Sequence, residues 1–516
     1  MQAKPISSGT QTFSILREND YTYVDKTGVM FRMTSSATRY FFLARPRRFG
    51  KSLLVSTLKA YFEGRRELFK GLAIDALERE WTVHPVLHFD FSTIRDATKE
   101  NLESELIQKL VGYEDLYGRR SGATKPNQRL GELIVRAHEQ TGQKVVLLVD
   151  EYDAPILNVL HEGERLEEVR NAMRNFYSPI KACDSHLRFV FLTGITKFSQ
   201  LSIFSELNNI KNVSMLPEFA ALCGITEEEM TTQLAGHIEA LAKELEIPHE
   251  KAVSLLRDMY DGYRFAWPSP GIYNPYSLLN ALADKRMGGY WFESGTPAHL
   301  IQILNKFGVV PQEIGRQECR SSSFDAPTEN LTTATPLLYQ SGYLTIKNYD
   351  KVSRLYTLDY PNAEVRLGLA ESLLVNYVKR PDKLVDLSGK LVRFILNDDM
   401  DGALRLMQET FATIPYCSGT NTEGHYQAML LLAFTLLGFK VGGEVRTSTG
   451  RLDAVLFSPN KLYLFELKID GTAKEALAQI DEKRYAERFA LDDRPKVKVG
   501  LTFSTETRTL GEWIIE

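Results

Sequence analysis

The sequence is poor in cysteine, and its few cysteines follow no metal-binding or disulfide pattern. Four occur in 516 residues, widely separated and without a CxxC pair: Cys183, Cys223, Cys319 and Cys417. This spacing argues against a structural zinc knuckle and a disulfide framework. We expect reduced, mostly buried thiols in a cytoplasmic protein.

The sequence also lacks a long apolar run and an excess of charge of one sign. Its longest apolar stretch, residues 428–437, is too short for a membrane span of about 20 residues. Lys4 is not followed by an apolar core, so no signal peptide is expected. Together with the short apolar stretch, this predicts no membrane partner. The 62 Lys and Arg residues nearly balance 66 Asp and Glu, which excludes a uniformly basic nucleic-acid coat protein.

Length and composition indicate a globular chain of several domains. With 43% hydrophobic and 25% charged residues, the composition is ordinary, and 516 residues correspond to about three domains. The first predicted segment, residues 1–225, alternates helical patterns with continuous apolar runs at 40–44, 145–150 and 187–193. This alternation predicts an α/β fold in which a parallel sheet is covered on both faces.

The other two segments have different patterns. Residues 226–380 are expected to be helical, with a small β-hairpin formed by 343–346 and 354–358. Residues 381–516 are expected to form one smaller α/β unit after a helical lead-in. Its main predicted elements are strands over 439–446, 453–457 and 462–467, a helix over 473–488 and a last strand over 496–502.

A phosphate-binding motif follows the first apolar run. Gly50, Lys51 and Ser52 fill the second half of the pattern G-x-x-x-x-G-K-[ST], although Arg45 stands where the first glycine should be. A strand is predicted before the motif and a helix after it, so backbone N–H groups at the helix start could bind phosphate. We expect Lys51 to contact the β- and γ-phosphates of ATP and Ser52 to bind Mg²⁺.

Two further strand ends complete the predicted nucleotide site. Asp150, which ends the run 145–150, is expected to hold Mg²⁺ through water, and Glu151 to orient the attacking water. The alternative for this acid pair is a helix cap or a solvated turn. Thr193 ends the next run and could contact the γ-phosphate; its alternative is a plain turn with a solvated lysine. The residues expected to bind the nucleotide are Arg48, Phe49, Gly50, Lys51, Ser52, Leu53, Asp150 and Thr193.

Arginine is concentrated around this motif. Residues 1–60 carry ten Lys and Arg against three acids, and Arg45, Arg47 and Arg48 lie within the motif itself. Two readings stay open for these side chains: binding of phosphate or a partner, and a solvated basic face.

A second set of charged residues lies near the carboxyl terminus. Asp453 begins an apolar strand, and Glu466, Leu467 and Lys468 end the next one. Because alternate strand residues share a face, Glu466 and Lys468 project together, and Asp453 can lie opposite them if the strands pair. Two carboxylates and a lysine can bind Mg²⁺ or Mn²⁺ and hold a water for attack on a phosphodiester. The alternative is a surface salt bridge worth at most about 1 kcal/mol.

These motifs together resemble a known family. The sequence resembles the bacterial AAA-ATPase-like family, whose members commonly carry a C-terminal PD-(D/E)XK nuclease domain, and the similarity covers nearly the whole chain. It is carried by RPRRFGKS (45–52), LLVDEYDAP (147–155), FLTGITKFS (191–199), YDGYRF (260–265), YNPYSLLNAL (273–282), SGYLTIK (341–347), YPNAEVR (360–366) and the Asp453…Glu466-x-Lys468 spacing. It implies an AAA-type P-loop domain, a lid-like or winged-helix-like middle and a nuclease-like tail.

The resemblance also implies roles for further residues. Glu423 matches a helix position where related nucleases often have another metal-linked acid. Gln479 and Tyr485 match positions that support the nuclease site or contact DNA. The resemblance allows a homo-oligomer formed through the AAA-type domain, in which a neighbouring subunit supplies an arginine. The candidates for that arginine are Arg170, Arg174 and Arg188.

Two functional hypotheses follow. The first is an ATP-binding and ATP-hydrolysing protein coupled to a metal-dependent nuclease, with DNA favoured over RNA as the partner. The second is a nucleotide-dependent switch or binding module, whose nuclease-like tail grips DNA or a protein without cutting. The charge of residues 420–516, 13 Lys and Arg against 14 Asp and Glu, motivates the second, because a DNA-binding domain normally has a basic face.

Overall fold

A computed structural model shows two compact units. The first is Met1–Ser294 with Arg316–Ala363, and the second is Gly295–Gly315 with Glu364–Glu516. The structure describes all residues except 1–2, 95–97, 120–121, 161, 198–208, 293–303, 305–306, 308, 310–313, 328–330, 378–389, 392, 412–439, 447–450, 459, 491 and 508. Most of the segment predicted over 226–380 lies in the first unit, and the three predicted domain ranges stay a prediction.

The secondary structure is mixed. The helices are α1 Phe13–Glu18, α2 Thr27–Thr34, α3 Lys51–Phe62, α4 Ala73–Leu77, α5 Lys99–Tyr117, α6 Pro126–Thr141, α7 Ala154–Leu157, α8 Gly163–Tyr177, α9 Pro179–Ala182, α10 Glu227–Gln233, α11 Ala235–Glu244, α12 His249–Tyr260, α13 Pro275–Asp284, α14 Ser321–Phe324, α15 Thr335–Gln340, α16 Ala363–Tyr377, α17 Met400–Phe411 and α18 Ala473–Glu482. The strands are β1 Tyr40–Ala44, β2 Val86–Asp90, β3 Val145–Asp150, β4 Leu187–Gly194, β5 Lys211–Asn212, β6 Ile225–Thr226, β7 Ile272–Tyr273, β8 Gln317–Cys319, β9 Thr345–Asp350, β10 Leu355–Asp359, β11 Lys440–Arg446, β12 Arg451–Phe457, β13 Leu462–Ile469, β14 Lys496–Ser504 and β15 Thr509–Ile515.

The first unit is built on a parallel sheet, as the sequence predicted. Its strand order is β2-β3-β4-β1-β5, and every pairing in it is parallel. On one face, Phe42 belongs to a buried cluster with residues of α5, α6 and α8. On the other, Phe41 contacts Phe189, which contacts Phe62 of α3. Both faces are therefore covered, which is why the strands read as continuous apolar runs.

The sheet order positions the candidate nucleotide site. Strands β1, β2, β3 and β4 run in the same direction, so their carboxyl ends meet at one edge. Ala44, Asp90, Asp150 and Gly194 end these strands, and Asp90 is the register partner of Asp150. The loop after β1 and the two acids therefore lie at the same edge of the sheet.

The middle of the chain adds helices and a small sheet to the first unit. The predicted hairpin is present as β9 and β10, and β8 pairs with β10 to make a three-stranded antiparallel sheet. None of the described helices combines the length and apolarity needed to cross a membrane. The three described cysteines are free, and Cys183 and Cys223 are buried.

The second unit contains a five-stranded mixed sheet in the order β11-β12-β13-β14-β15. Helix α18 contacts β13 and β14, and Gly500 of β14 allows this approach, since a Cβ there would lie 2.4 Å from the Ala473 carbonyl oxygen. The prediction of 496–502 as the last strand is wrong, because β15 follows and pairs with β14. The predicted helix over 473–488 ends at Glu482, and a 3₁₀ turn covers Tyr485–Phe489.

Candidate functional site

The loop between β1 and α3 has the shape of a phosphate-binding loop. Gly50 has a φ of 87° and caps the amino end of α3, where the first helical N–H groups have no partner within the helix. Lys51, Ser52 and Leu53 form the start of this helix. Arg48 has a φ of 65°, which a residue with a Cβ rarely adopts. Such a helix start, which presents backbone N–H groups, favours an anion.

Lys51 connects this loop to the end of β3. Its side chain is 4% exposed, and its Nζ donates to the Pro46 carbonyl at 3.2 Å. The same Nζ lies 3.7 Å from Oε1 of Glu151, whose φ is 49°. The structure thus brings the predicted lysine and the predicted water-orienting glutamate together. A phosphate bound at the loop would compete with Glu151 for Lys51.

Asp150 is a buried carboxylate among other acids. It is 3% exposed and lies beside Asp90 and Glu151. Burial raises the pKa of Asp150 to about 6, and the charge of Glu151 acts in the same direction. A hydrogen bond with Ser52 and the charge of Lys51 oppose this rise. A nearby cation would stabilise the ionised form of a carboxylate in this environment. The Asp150 and Ser52 oxygens are ligands that Mg²⁺ prefers.

Asp153 is a buried acid at this edge that the sequence analysis missed. One of its carboxylate oxygens accepts hydrogen bonds from the Ile195 N–H at 3.0 Å and from the N–H and hydroxyl of Thr196, both at 2.7 Å. Burial raises the pKa of Asp153. The third acid of LLVDEYDAP was the available signal. Asp153 holds the loop after β4 against the segment after β3.

Thr193 lies in the core rather than in an open site. Its hydroxyl donates to the Leu43 carbonyl at 2.8 Å, a contact that does not support a phosphate ligand. Lys197 instead pairs with Asp325 at 2.6 Å, and its N–H donates to the Gln340 side chain at 2.7 Å. The loop after β4 is therefore tied to the middle of the chain, and nucleotide contact by Thr193 stays a prediction.

The three arginines of the loop have different environments. Arg45 is buried, donates to three backbone carbonyl oxygens and lies 4.1 Å over the Phe265 ring. Burial lowers the pKa of Arg45 to about 10. The interpretation of Arg45 as part of a solvated basic face is therefore wrong, because the side chain is 1% exposed, while its binding of phosphate or a partner stays a prediction. Arg48 lies 3.8 Å over the Tyr276 ring, and only Arg47 is exposed.

Phe49 is enclosed by aromatic rings from the middle of the chain. Its ring centroid lies 4.7 Å from that of Tyr263 and 5.2 Å from that of Phe265. Its carbonyl accepts from the Gly224 N–H at 3.1 Å. The side chain holds the loop in place, so its expected contact with nucleotide stays a prediction that the side-chain packing does not support.

The arginines considered for a neighbouring subunit lie elsewhere. Arg170 pairs with Glu167 at 2.7 Å, and Arg174 lies on the same helix, α8. Arg188 donates to the Thr34 carbonyl at the amino end of β4, opposite the edge that carries the loop. Arg188 is therefore remote from the site of its own subunit, and a role in a neighbouring subunit stays a prediction for all three.

The second candidate site lies in the second unit, where β12 and β13 pair. The antiparallel ladder includes Ala454 opposite Phe465, which places Asp453 beside Glu466. The Asp453 carboxylate accepts from the Leu467 N–H at 2.8 Å. The conditional expectation that these strands pair is therefore confirmed.

Gln479 of α18 joins the charged residues of this site. Its Oε1 accepts from the Lys468 Nζ at 2.5 Å, while its Nε2 donates to Glu466. The Lys468 Nζ also lies 3.8 Å from the Glu466 carboxylate, and the Tyr485 hydroxyl lies 3.5 Å from the Gln479 Nε2. Glu466 is 2% exposed, so the alternative of a surface salt bridge is wrong.

The donor set of this site suits a hard cation. Asp453 and Glu466 supply carboxylate oxygens on adjacent strands, which Mg²⁺ and Mn²⁺ accept as ligands. Glu423 lies outside the described residues. Within the described part of the chain, no group of three or more His, Cys, Asp or Glu side chains is placed to hold a metal ion.

Comparisons with known proteins agree with this architecture. The family model described as "Predicted AAA-ATPase" matches residues 7–204, and that of the PD-(D/E)XK nuclease superfamily matches residues 421–513. A relative from Azotobacter chroococcum mcd 1, described as "Uncharacterized protein in vnfD 5'region", is 36% identical over 532 residues. That alignment covers 100% of this chain and 99% of the relative.

The fold and these matches define the class of protein: an AAA-ATPase-like P-loop domain is followed by a PD-(D/E)XK nuclease-superfamily domain. The chain belongs to the AAA-ATPase-like family and carries a PD-(D/E)XK nuclease-superfamily domain at residues 421–513. The recognition made from the sequence motifs is confirmed.

Proposed function

We propose that the protein binds and hydrolyses ATP and uses the nucleotide to control a metal-dependent nuclease acting on DNA. The observation that carries the nuclease half is the assembly of Asp453, Glu466 and Lys468 where β12 and β13 pair. The nucleotide half is supported by the placement of Lys51, and of Asp150 at the same edge. The proposal joins two family-level domains in one chain.

At the nucleotide site, different residues bind the phosphates and the Mg²⁺. The helix start and Lys51 bind the phosphates, while Ser52 and Asp150 hold the Mg²⁺ that accompanies ATP. Transfer of Lys51 from Glu151 to a phosphate leaves the Glu151 carboxylate free to orient the attacking water.

At the nuclease site, Asp453 and Glu466 hold the metal, which supplies positive charge for the scissile phosphate. Lys468 holds the attacking water and stabilises negative charge on the phosphate oxygens. Gln479 positions Lys468 and Glu466 relative to each other, as the two hydrogen bonds of its amide support.

A binding module without cleavage is the second candidate. It is favoured by the balance of charge over residues 420–516, 13 basic against 14 acidic, which gives the tail no strongly basic character of its own. Under this candidate the nucleotide site works as a switch, and the nuclease-like sheet grips DNA or a protein.

A cleavage assay tests the proposal. Plasmid and single-stranded DNA are incubated with Mg²⁺ or Mn²⁺, with and without ATP, using wild type, Asp453→Ala and Lys51→Ala. We expect cutting that Asp453→Ala abolishes and that Lys51→Ala uncouples from ATP. Asp493→Ala, an exposed aspartate in the same unit, is the matched control and should cut normally. ATP turnover without cutting of any substrate would support the binding module instead.

A further inference from the structure

The turn between β9 and β10 is the most exposed apolar point of the described structure. Residues 351–354 connect the two strands, and Val352 is 93% exposed, more than any other large hydrophobic side chain described. One exposed apolar side chain is ordinary. Val352, however, lies in a turn that also contains charged residues, where a binding partner could contact it.

Three cations lie at the same end of the small sheet as Val352. Leu355 pairs with Asp350 on one side, and Tyr356 pairs with Cys319 on the other. Lys351 and Arg354 therefore lie in the turn itself, and Arg320, the residue after Cys319, reaches the same end on the neighbouring strand. We call Arg320, Lys351, Val352 and Arg354 the hairpin tip.

The cations of the hairpin tip are available to a ligand. All three side chains are exposed, and within the described part of the chain none of these side chains has a hydrogen bond or an ion pair. By contrast, nearby Arg316 lies 3.9 Å from the Asp359 carboxylate. Charges of this kind contribute little to folding, so their grouping at a projecting point favours a role in binding.

The turn is held in a fixed shape by Asp350, the residue that precedes it. The Asp350 carboxylate accepts from the Val352 N–H at 2.9 Å and from the N–H and hydroxyl of Ser353 at 3.2 and 2.6 Å. Behind the turn, the rings of Tyr349 and Tyr356 pack at 4.4 Å. Asp350 is thus occupied within the turn, and the cations are presented on a rigid support.

We propose that the hairpin tip binds the phosphate backbone of duplex DNA, with Val352 against a sugar or base. Arginine and lysine on a rigid projecting hairpin suit phosphate contacts, and an apolar residue between them suits a groove. The proposal rests on the proposed function, because it locates the basic surface that the near-neutral residues 420–516 do not supply.

The test measures binding rather than cutting. A fluorescent duplex of 30 base pairs is titrated with protein in EDTA at several salt concentrations, using wild type and Arg320→Gln/Lys351→Gln/Arg354→Gln. The plot of log K against log salt has a negative slope, and each lost phosphate contact makes it less steep by about 0.9. The slope of the triple variant should therefore be less steep than that of wild type by roughly two to three. At 0.1 M salt its affinity should fall at least about tenfold.

A matched triple variant controls for bulk charge. Lys99→Gln/Lys243→Gln/Lys251→Gln removes three exposed positive charges from helices of the same unit and should keep the wild-type slope. Equal thermal midpoints of the two variants verify folding. An unchanged slope in the hairpin variant, or an equal loss in the control, would overturn the proposal. So would binding of anionic vesicles or duplex RNA in place of DNA.

Failure of the nuclease is distinguishable from failure of this inference. If wild type binds DNA through the hairpin tip but never cuts it, the inference stands and the nuclease half of the proposed function fails. If DNA is cut and the hairpin variant binds and cuts as wild type does, the nuclease stands and the inference fails.

Discussion

The burial of Asp150 predicts that removing its charge stabilises the nucleotide-free protein. Its pKa is raised from 3.8 to about 6, because folding takes the carboxylate out of water and places it near Glu151. The substitution Asp150→Asn keeps the shape and the hydrogen-bonding oxygen but removes the charge. We therefore expect a variant that is more stable than wild type and unable to use Mg²⁺-ATP.

The size and pH dependence of this effect follow from the pKa. One pKa unit corresponds to about 1.4 kcal/mol, so the ionised form costs the folded state about 3 kcal/mol. Below pH 3.8 the carboxyl is protonated in both states and the cost is absent; above about pH 6 it is ionised in both and the cost is complete. At pH 8 Asp150→Asn should gain about 3 kcal/mol over wild type, and at pH 5 about half of that.

Thermal unfolding without nucleotide measures this gain. For a unit of this size each kcal/mol shifts the midpoint by roughly 1–2 °C, so we expect Asp150→Asn to melt roughly 3–6 °C above wild type at pH 8. Saturating Mg²⁺-ATP should raise the midpoint of wild type only. Glu239→Gln, at an exposed site on α11, should match wild type at both pH values. A variant less stable than wild type at pH 8, or a difference that is equal at pH 5 and pH 8, would refute the reasoning.

Three further substitutions test the packing of the two sites. Gly342→Ala should destabilise the first unit by a few kcal/mol in urea titrations, because its φ is 89° and a Cβ would lie 2.8 Å from a loop proline side chain. Gly289→Ala, where a Cβ meets nothing within 4 Å, is its control. Arg45→Lys should also lower stability in urea, since lysine cannot reproduce the fork of hydrogen bonds, whereas Arg47→Lys should have no effect. Gln479→Ala should lower any cleavage rate about 10- to 100-fold with an unchanged melting midpoint.

The parallel strands of the first unit could be predicted from the sequence because burial on both faces leaves a continuous apolar run. Val145–Asp150 was predicted with the bounds that the structure shows, and Leu187–Gly194 within one residue. The apolar run of β3 ends at Asp150, so the end of the strand could be located from the sequence as well. Local pattern and tertiary burial agree here, so the sequence alone identifies the site edge.

Other features depend on contacts that the local sequence does not carry. The sequence leaves the environment of Arg45 open, because its side chain packs over Phe265, more than 200 residues away. Asp153 was missed because its role depends on hydrogen bonds from the loop after β4. Strand β15 was missed because Thr509–Ile515 is only partly buried and gains its identity from pairing with β14.

The arginine-rich loop gains a physical meaning from these long-range contacts. A glycine-rich loop has few side chains that other parts of the protein can hold. Here Arg45 lies over Phe265, Arg48 lies over Tyr276, and the Phe49 ring packs against the same aromatic group. A change in the backbone of this loop must therefore either break one of these contacts or move Phe265 and Tyr276 together with the loop. Arg45, which stands where the usual glycine would be, and its neighbours Arg48 and Phe49 therefore connect the loop to the middle of the chain.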